Sequence, residues 1–234
     1  MVAIGQDRTS IELIDVRYAP FIYSAWHDPE VLRHISVVAG VDLVPACDYD
    51  TGHANVSINE NGQIESVNWK AEEDKPAFAW HVDSYPFVCV TMLSDCTGME
   101  GGETAIKTGN GDLMKARGPT MGTAVIMQGR YIEHAALQAK GGRERIAMVT
   151  SLRPRSPLAR DETVLGGVRG ISDVVTLYSQ YYEYRLENLE ERLRHELQAQ
   201  RKLSRASRPF DTSKVREWLT EQKTYLEAML AELR

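Results

Sequence analysis

The sequence predicts a mainly β protein with helices at both ends, and three observations carry that reading. Between about residues 53 and 152, some eight short apolar runs alternate with Gly-rich turns, the pattern of a sandwich or jelly-roll barrel. Ahead of them, "HDPEVLRHISVV" holds a helix-start signature. After "LRPRSP" the hydrophobic period changes from two to steps of three and four.

The elements follow in chain order. In the N-terminal stretch Asp28 is placed to cap a helix with Pro29 in its first turn, and Leu32 and Ile35 then share one face. "HANVSIN" and "QIESVNW" flank Glu60-Asn61-Gly62, and Asn-Gly between alternating strands predicts a hairpin. "FVCVTMLS" is a near-continuous β-branched and aromatic run, expected of a strand buried on both faces. "ETAIKT" and "DLMKAR" flank Gly109-Asn110-Gly111, a second hairpin, and "TAVIMQ", "IEHAALQ" and "RIAMVTSLR" complete the set. Beyond it, Val175, Tyr178, Tyr182, Leu186, Leu189, Leu193 and Leu197 mark a long amphipathic helix, with Glu190 and Arg194 as an i,i+4 pair. Pro209 breaks it, Asp211 or Thr212 caps the next helix, and Val215, Leu219, Leu226, Met229 and Leu233 form a second stripe. The organisation is therefore 1–52 as N-terminal helix and loop support, 53–153 as the β core, and 154–234 as a helical hairpin. Stripes at helical spacing usually pack on a core; the alternative use of this hairpin is homodimerisation.

The chain has 234 residues, 43% of them hydrophobic, enough for a sizeable core. A formal charge of −6 provides no global basic field, which argues against nucleic acid as a partner; the run "RKLSRASR" at 201–208 is the one local exception. Three cysteines without CxxC spacing suit a reducing compartment. The N-terminus has neither a basic start nor a long apolar run, and no apolar stretch approaches 18 residues. A soluble, cytoplasmic protein is the expectation.

The chemistry-bearing residues begin with "HVD" at 81–83, at the mouth of a β run. Residues two apart on a strand point the same way, so His81 and Asp83 converge. A His followed two later by an acid arises about once per chain of this composition, so the motif alone is weak. Its company strengthens it. His134 follows the run "TAVIMQ" and opens another strand. Two imidazoles and a carboxylate occupy one face of an octahedral metal and leave three positions open, which suits Fe(II) better than zinc. Arg145 opens the last strand with Ala147 and Val149 on the same face, and a buried guanidinium fork there matches a bidentate carboxylate. Arg143 shares that parity but lies beside the Gly-Gly turn. His27, His34, His53 and His195 lack such context and read as structural or surface residues.

Together, "HVD" at 81–83, "GGET" at 101–104, "PTMGTAVIMQG" at 119–129, "EH" at 133–134 and "GGRERIAMVTSL" at 141–152 resemble the Fe(II)- and 2-oxoglutarate-dependent oxygenases, with the flavour of fungal members used in secondary metabolism. The resemblance covers about residues 53–153. It implies a double-stranded β-helix in which His81, Asp83 and His134 hold Fe(II) and Arg145 pairs with the distal carboxylate of 2-oxoglutarate. Glu103 in "GGET" would be structural. The implied reaction consumes O2 and 2-oxoglutarate, releases succinate and CO2, and oxidises an unactivated C–H bond of a small, amino-acid-derived metabolite by hydroxylation, desaturation or ring closure.

Two departures stand out. Ala147 occupies the place where the family often has Ser or Thr, so a neighbouring hydroxyl, Tyr85 or Thr91, must substitute. Eighty residues precede His81, fewer than many relatives place there, which leaves the pocket to be completed by another chain or by a segment missing from this sequence. Three competing readings are a cupin-like metal enzyme that does not use 2-oxoglutarate, a non-catalytic barrel-based binding protein, and a nucleic-acid demethylase on the same barrel.

Overall fold

The computed structural model describes residues 2–5, 8–11, 19–58, 79–116, 120–137, 139–140 and 144–234. It divides into two compact units, Met1–Pro154 with Asp161–Thr163, and Arg155–Arg160 with Val164–Arg234. The Glu60-Asn61-Gly62 turn, the "QIESVNW" arm and Arg143 lie outside the described residues.

The first unit starts with two strands, β1 (Val2–Gly5) and β2 (Arg8–Ile11), followed by helices α1 (Pro20–His27) and α2 (Pro29–Ala39). Asp28 separates the helices. Its extended backbone ends α1, and its carboxylate accepts from the N–H groups of Glu30 and Val31 at 2.8 and 3.2 Å to begin α2. Two of the orphan donors at the start of α2 are thereby satisfied, as the sequence led one to expect. Gly40, at φ 72°, closes the helix in the left-handed region that glycine enters without steric cost. The extra helix α1 carries no side-chain cap at Ala19 and begins on Pro20, which sits in its first turn.

The remaining strands are β3 (Leu43–Pro45), β4 (His53–Ile58), β5 (Phe87–Met92), β6 (Glu100–Gly101), β7 (Thr104–Lys107), β8 (Leu113–Ala116), β9 (Ala124–Met127), β10 (His134–Ala136), β11 (Ala139–Lys140) and β12 (Glu144–Pro154). They are antiparallel throughout and form a seven-stranded sheet in the order β1-β2-β4-β12-β5-β9 with β3 on β12, a three-stranded sheet β10-β7-β8, and a pair β11-β6. The predicted β7–β8 hairpin around Gly109-Asn110-Gly111 is present, with Gly111 at φ 85°.

Alternation along β5 sets the layers. Phe87 and Cys89 face the helices and join Trp26, Ile35, Leu43, Leu152 and Met148 in one cluster. Val88 and Val90 face the other way and meet Ile106, Met127, Ile132 and Val149 between the two larger sheets. The strand is thus packed on both faces, the reason its sequence is mostly apolar. Leu43 and Leu152 are fully buried, and truncating either to Ala costs roughly 2–5 kcal/mol.

The second unit is a helical hairpin, α3 (Val174–Arg205) and α4 (Thr212–Glu232). Asp173 and Asp211 cap the two helices by accepting from Thr176 N–H and Lys214 N–H. The predicted helices are there, but the face α3 buries differs from the predicted stripe. Leu177, Tyr181, Tyr184, Arg185 and Asn188 are buried, whereas Val175, Tyr182, Leu186, Leu193 and Leu197 are exposed. The buried face is aromatic and polar. Arg185, only 1% exposed, lies over the Tyr225 ring at 3.6 Å, and the Tyr225 hydroxyl donates to the Arg185 carbonyl at 3.1 Å. Cation–π stacking replaces the leucine packing that hydropathy alone suggests. On α4 Met229 is buried while Leu219 and Leu226 are exposed. No helix among the described residues is long and apolar enough to cross a membrane.

Candidate metal centre

Three side chains of the first unit converge. The ligand atoms of His81, Asp83 and His134 all lie within 4.8 Å of one another. Among the described residues they form the only group of three or more His, Cys, Asp or Glu side chains that could hold a metal ion. His134 opens β10, and His81 joins it through a two-residue antiparallel bridge whose N–H···O distances are 3.0 and 2.9 Å. Asp83 is fixed one step later, its N–H donating to the Gly129 carbonyl at 2.8 Å. Trp80, beside His81, lies under the Lys107 ammonium at 4.6 Å and adds a hold on β7. Residues far apart in sequence are thus brought together by backbone pairing between a loop and the three-stranded sheet.

The imidazole orientations follow from their outer hydrogen bonds. His81 Nδ1 lies 2.8 Å from the Ala79 carbonyl and His134 Nδ1 lies 2.9 Å from the Ile132 carbonyl. Only a protonated Nδ1 can donate there, so each neutral ring presents its Nε2 lone pair inward. Those Nε2 atoms sit 3.6 Å from Asp83 Oδ1 and 3.5 Å from Asp83 Oδ2. Asp83 Oδ2 is buried and accepts no hydrogen bond. Three acceptors therefore face one another with no donor among them, an arrangement that a cation would satisfy and that is costly without one. In the metal-free protein the Asp83 carboxylate raises the His81 pKa above its ordinary value, against partial burial that pulls it down.

Exposure is graded across the triad, 44% for the His81 side chain, 21% for Asp83 and 7% for His134. The His81 side is therefore the one open to solvent. With bonds of about 2.1 Å, adjacent ligands of an ion stand about 3 Å apart, so the carboxylate–imidazole separations need only a small contraction. The donor set fits a divalent ion.

Gly129 is a site residue that the sequence hid. A Cβ there would stand 1.9 Å from Asp83 Oδ2 and 2.8 Å from its Cγ, so the carboxylate occupies the space a side chain would fill. The "QG" of "AVIMQG" looks like an ordinary turn, and nothing in the spacing ties it to Asp83.

Arg145 is not part of this cluster. It sits on β12, on the face that carries Val149 into the space between the sheets, and its Nε donates to the Gly102 carbonyl at 3.3 Å. Gly102 immediately precedes Glu103 and β7, and β7 pairs with the His134 strand. Of the two hydroxyls considered as its helpers, Thr91 faces the helices with Cys89, whose Sγ is 4.0 Å from its Oγ1, and so points away from Arg145. Strand parity thus speaks against Thr91 alone of the two. The Tyr85 hydroxyl contacts Cys47 Sγ at 3.4 Å. The Glu103 carbonyl accepts from Leu137 N–H, a backbone role. Among the other histidines, His27 stacks on Tyr23 and lies 3.4 Å from Asp48.

No family model and no curated protein sequence matches this chain. Solved structures with a similar outline include an oxidoreductase of the 2OG-Fe(II) oxygenase family from Burkholderia pseudomallei, 13% identical over 65% of this chain and 71% of that one, TM-score 0.47. A prolyl-4-hydroxylase from Pseudomonas putida is 15% identical over 66% of this chain and 78% of its own, TM-score 0.39. A prolyl 4-hydroxylase from Phytophthora capsici is 15% identical over 95% and 78%, TM-score 0.42. At such identities and scores, any assignment of chemistry rests on the residues themselves.

Proposed function

We propose that this chain is an Fe(II)- and 2-oxoglutarate-dependent oxygenase acting on a C–H bond of a small, amino-acid-derived metabolite, of the kind found in secondary metabolism. The observation that carries the proposal is the convergence of two inward Nε2 lone pairs on the Asp83 carboxylate, one of whose oxygens is buried without a hydrogen bond. His81, Asp83 and His134 are the ligands. Three protein ligands leave room for a bidentate cosubstrate and oxygen. Bound Fe(II) with 2-oxoglutarate and O2 supplies C–H oxidation coupled to decarboxylation of the cosubstrate to succinate. The remaining tasks fall to the chain. The Ala79 and Ile132 carbonyls hold the rings in the ligating tautomer, and Gly129 leaves room for the carboxylate. Arg145, which shares the β12 face of Val149, forks onto the distal carboxylate of 2-oxoglutarate. The sheets close around the space between them as a double-stranded β-helix.

The test is succinate formation from 2-oxoglutarate under air with added Fe(II). The wild-type chain produces succinate, and His81→Ala abolishes it. Arg145→Ala weakens 2-oxoglutarate binding about a hundredfold, the scale for removing one partner of a buried charge pair. Unchanged 2-oxoglutarate affinity in Arg145→Ala would favour a metal enzyme that does not use this cosubstrate.

A further inference from the structure

The exposed stripe of α3 has a sequence logic of its own. Val175, Tyr182, Leu186, Leu193 and Leu197 are each between 40% and 78% exposed. At about 100° per residue they fall within roughly a 60° arc, well away from the face holding Leu177, Tyr181 and Tyr184. Scattered exposed leucines need no explanation, but a continuous stripe along a 32-residue helix marks a contact surface.

The occupant is indicated by charge. About 80–90° round the axis from the stripe runs one flank that reads, from N- to C-terminus, Glu183, Glu187, Glu190, Arg194, Arg201 and Arg205, all exposed. It is acidic in its first half and basic in its second. The other flank has no such run: Arg192 is tied to the Pro157 and Ala159 carbonyls, Arg185 is buried, and Glu196 accepts from Gln200. A two-fold axis perpendicular to a helix pair sets each flank against the same flank of the partner, running in reverse. The acidic half then meets the basic half at both ends. A parallel pair would instead set this flank against the featureless one.

We propose that α3 pairs antiparallel with α3 of a second copy of this chain. The two-fold axis lies between Glu190 and Arg194, where the flank changes sign. Glu183 then stands opposite Arg201 of the partner subunit, and Glu190 opposite Arg194 of the partner subunit. Leu186, Leu193 and Leu197 bracket the same point and form the apolar seam. The interface is isologous and closed, so it stops at two chains. Exposed ion pairs contribute little strength, so the leucines supply affinity while the charges set orientation. The intrachain Glu190–Arg194 pair is shared with the partner rather than broken.

The test is sedimentation velocity on the full chain over about a hundredfold range of concentration, with no activity readout involved. The wild type sediments with twice the chain mass, and Leu193→Glu raises the dimer dissociation constant at least about tenfold by placing a charge in the seam. The triple variant E183K/E187K/E190K makes the flank wholly basic, and R194E/R201E/R205E makes it wholly acidic. Each alone is monomeric, and mixing the two restores a dimer containing one of each. That rescue also shows that both variants remain folded. A monomeric wild type across the range would overturn the proposal. So would charge variants that stay dimeric alone or fail to pair when mixed.

Discussion

Gly129→Ala isolates the carboxylate from everything else in the metal centre. The added methyl would stand 1.9 Å from Asp83 Oδ2 and 3.0 Å from Asp83 Cβ. Ordinary contact begins near 3.4 Å, so the carboxylate oxygen must retreat by about 1.5 Å, more than half the length of a metal–oxygen bond. It can do so by rotating its side chain, which removes it from the space between the two Nε2 atoms. The backbone does not object: Gly129 is not among the glycines at positive φ, so alanine adds no conformational strain. A glycine replaced at a compatible position gains a few tenths to 1 kcal/mol through the unfolded chain, which offsets part of the local crowding. The variant should therefore melt close to the wild type yet bind metal about a hundredfold more weakly, the scale for misplacing a site group by an ångström or more. Anaerobic Co(II) titration followed by visible absorption measures the affinity, and thermal unfolding monitors the fold. Wild-type affinity in Gly129→Ala would refute the placement of Asp83 in the site.

Other outcomes follow from burial and capping. Burial pushes the Cys47 thiol up to about 12 and the Cys89 thiol to about 11, so at pH 8 about one in ten thousand and one in a thousand are thiolate. Both should be alkylated by iodoacetamide far more slowly in the folded protein than in the unfolded chain, as mass spectrometry reads it, and labelling at the unfolded rate would contradict the raised thiol values. Because the folded-state values lie above the ordinary 9.0, the stability linked to these thiols is complete below about pH 9 and lost as pH rises toward 12, giving alkaline destabilisation in denaturant titrations. Asp28→Ala removes both hydrogen bonds that start α2 and should cost about 1 kcal/mol, lowering Tm by about 2–4 °C. An unchanged Tm would mean that Pro29 alone sets the start of this helix.

The parts of this fold legible in the sequence are those governed by local rules. Asp28-Pro29 begins α2, Gly109-Asn110-Gly111 turns a hairpin, and β5 is mostly apolar because helices and a second sheet cover its two faces. His134 and His81 were legible for a related reason, since one opens a strand and the other bridges to it, while Asp83 lies in the loop just beyond, where its N–H is held by the Gly129 carbonyl. What was hidden depends on packing between distant segments. Gly129 matters only because Asp83 folds against it from 46 residues away. Thr91 carries the right hydroxyl on the wrong face of β5. The helical hairpin shows the limit of hydropathy, which marks the stripe holding Tyr182, Leu186, Leu193 and Leu197 and not the face of Leu177, Tyr181 and Tyr184 that is buried. Tyr181 and Tyr225 flank the buried Arg185, while Leu186, Leu193 and Leu197 of α3 look outward.

The ligand set is open to direct inspection. Crystals grown and soaked with Fe(II) under anaerobic conditions, with diffraction recorded at the iron absorption edge, locate every bound ion by its anomalous signal. The account predicts a single strong peak per chain, bonded to His81 Nε2, His134 Nε2 and an oxygen of Asp83. A peak elsewhere, or none at a ferrous concentration that saturates the protein in solution, would contradict it.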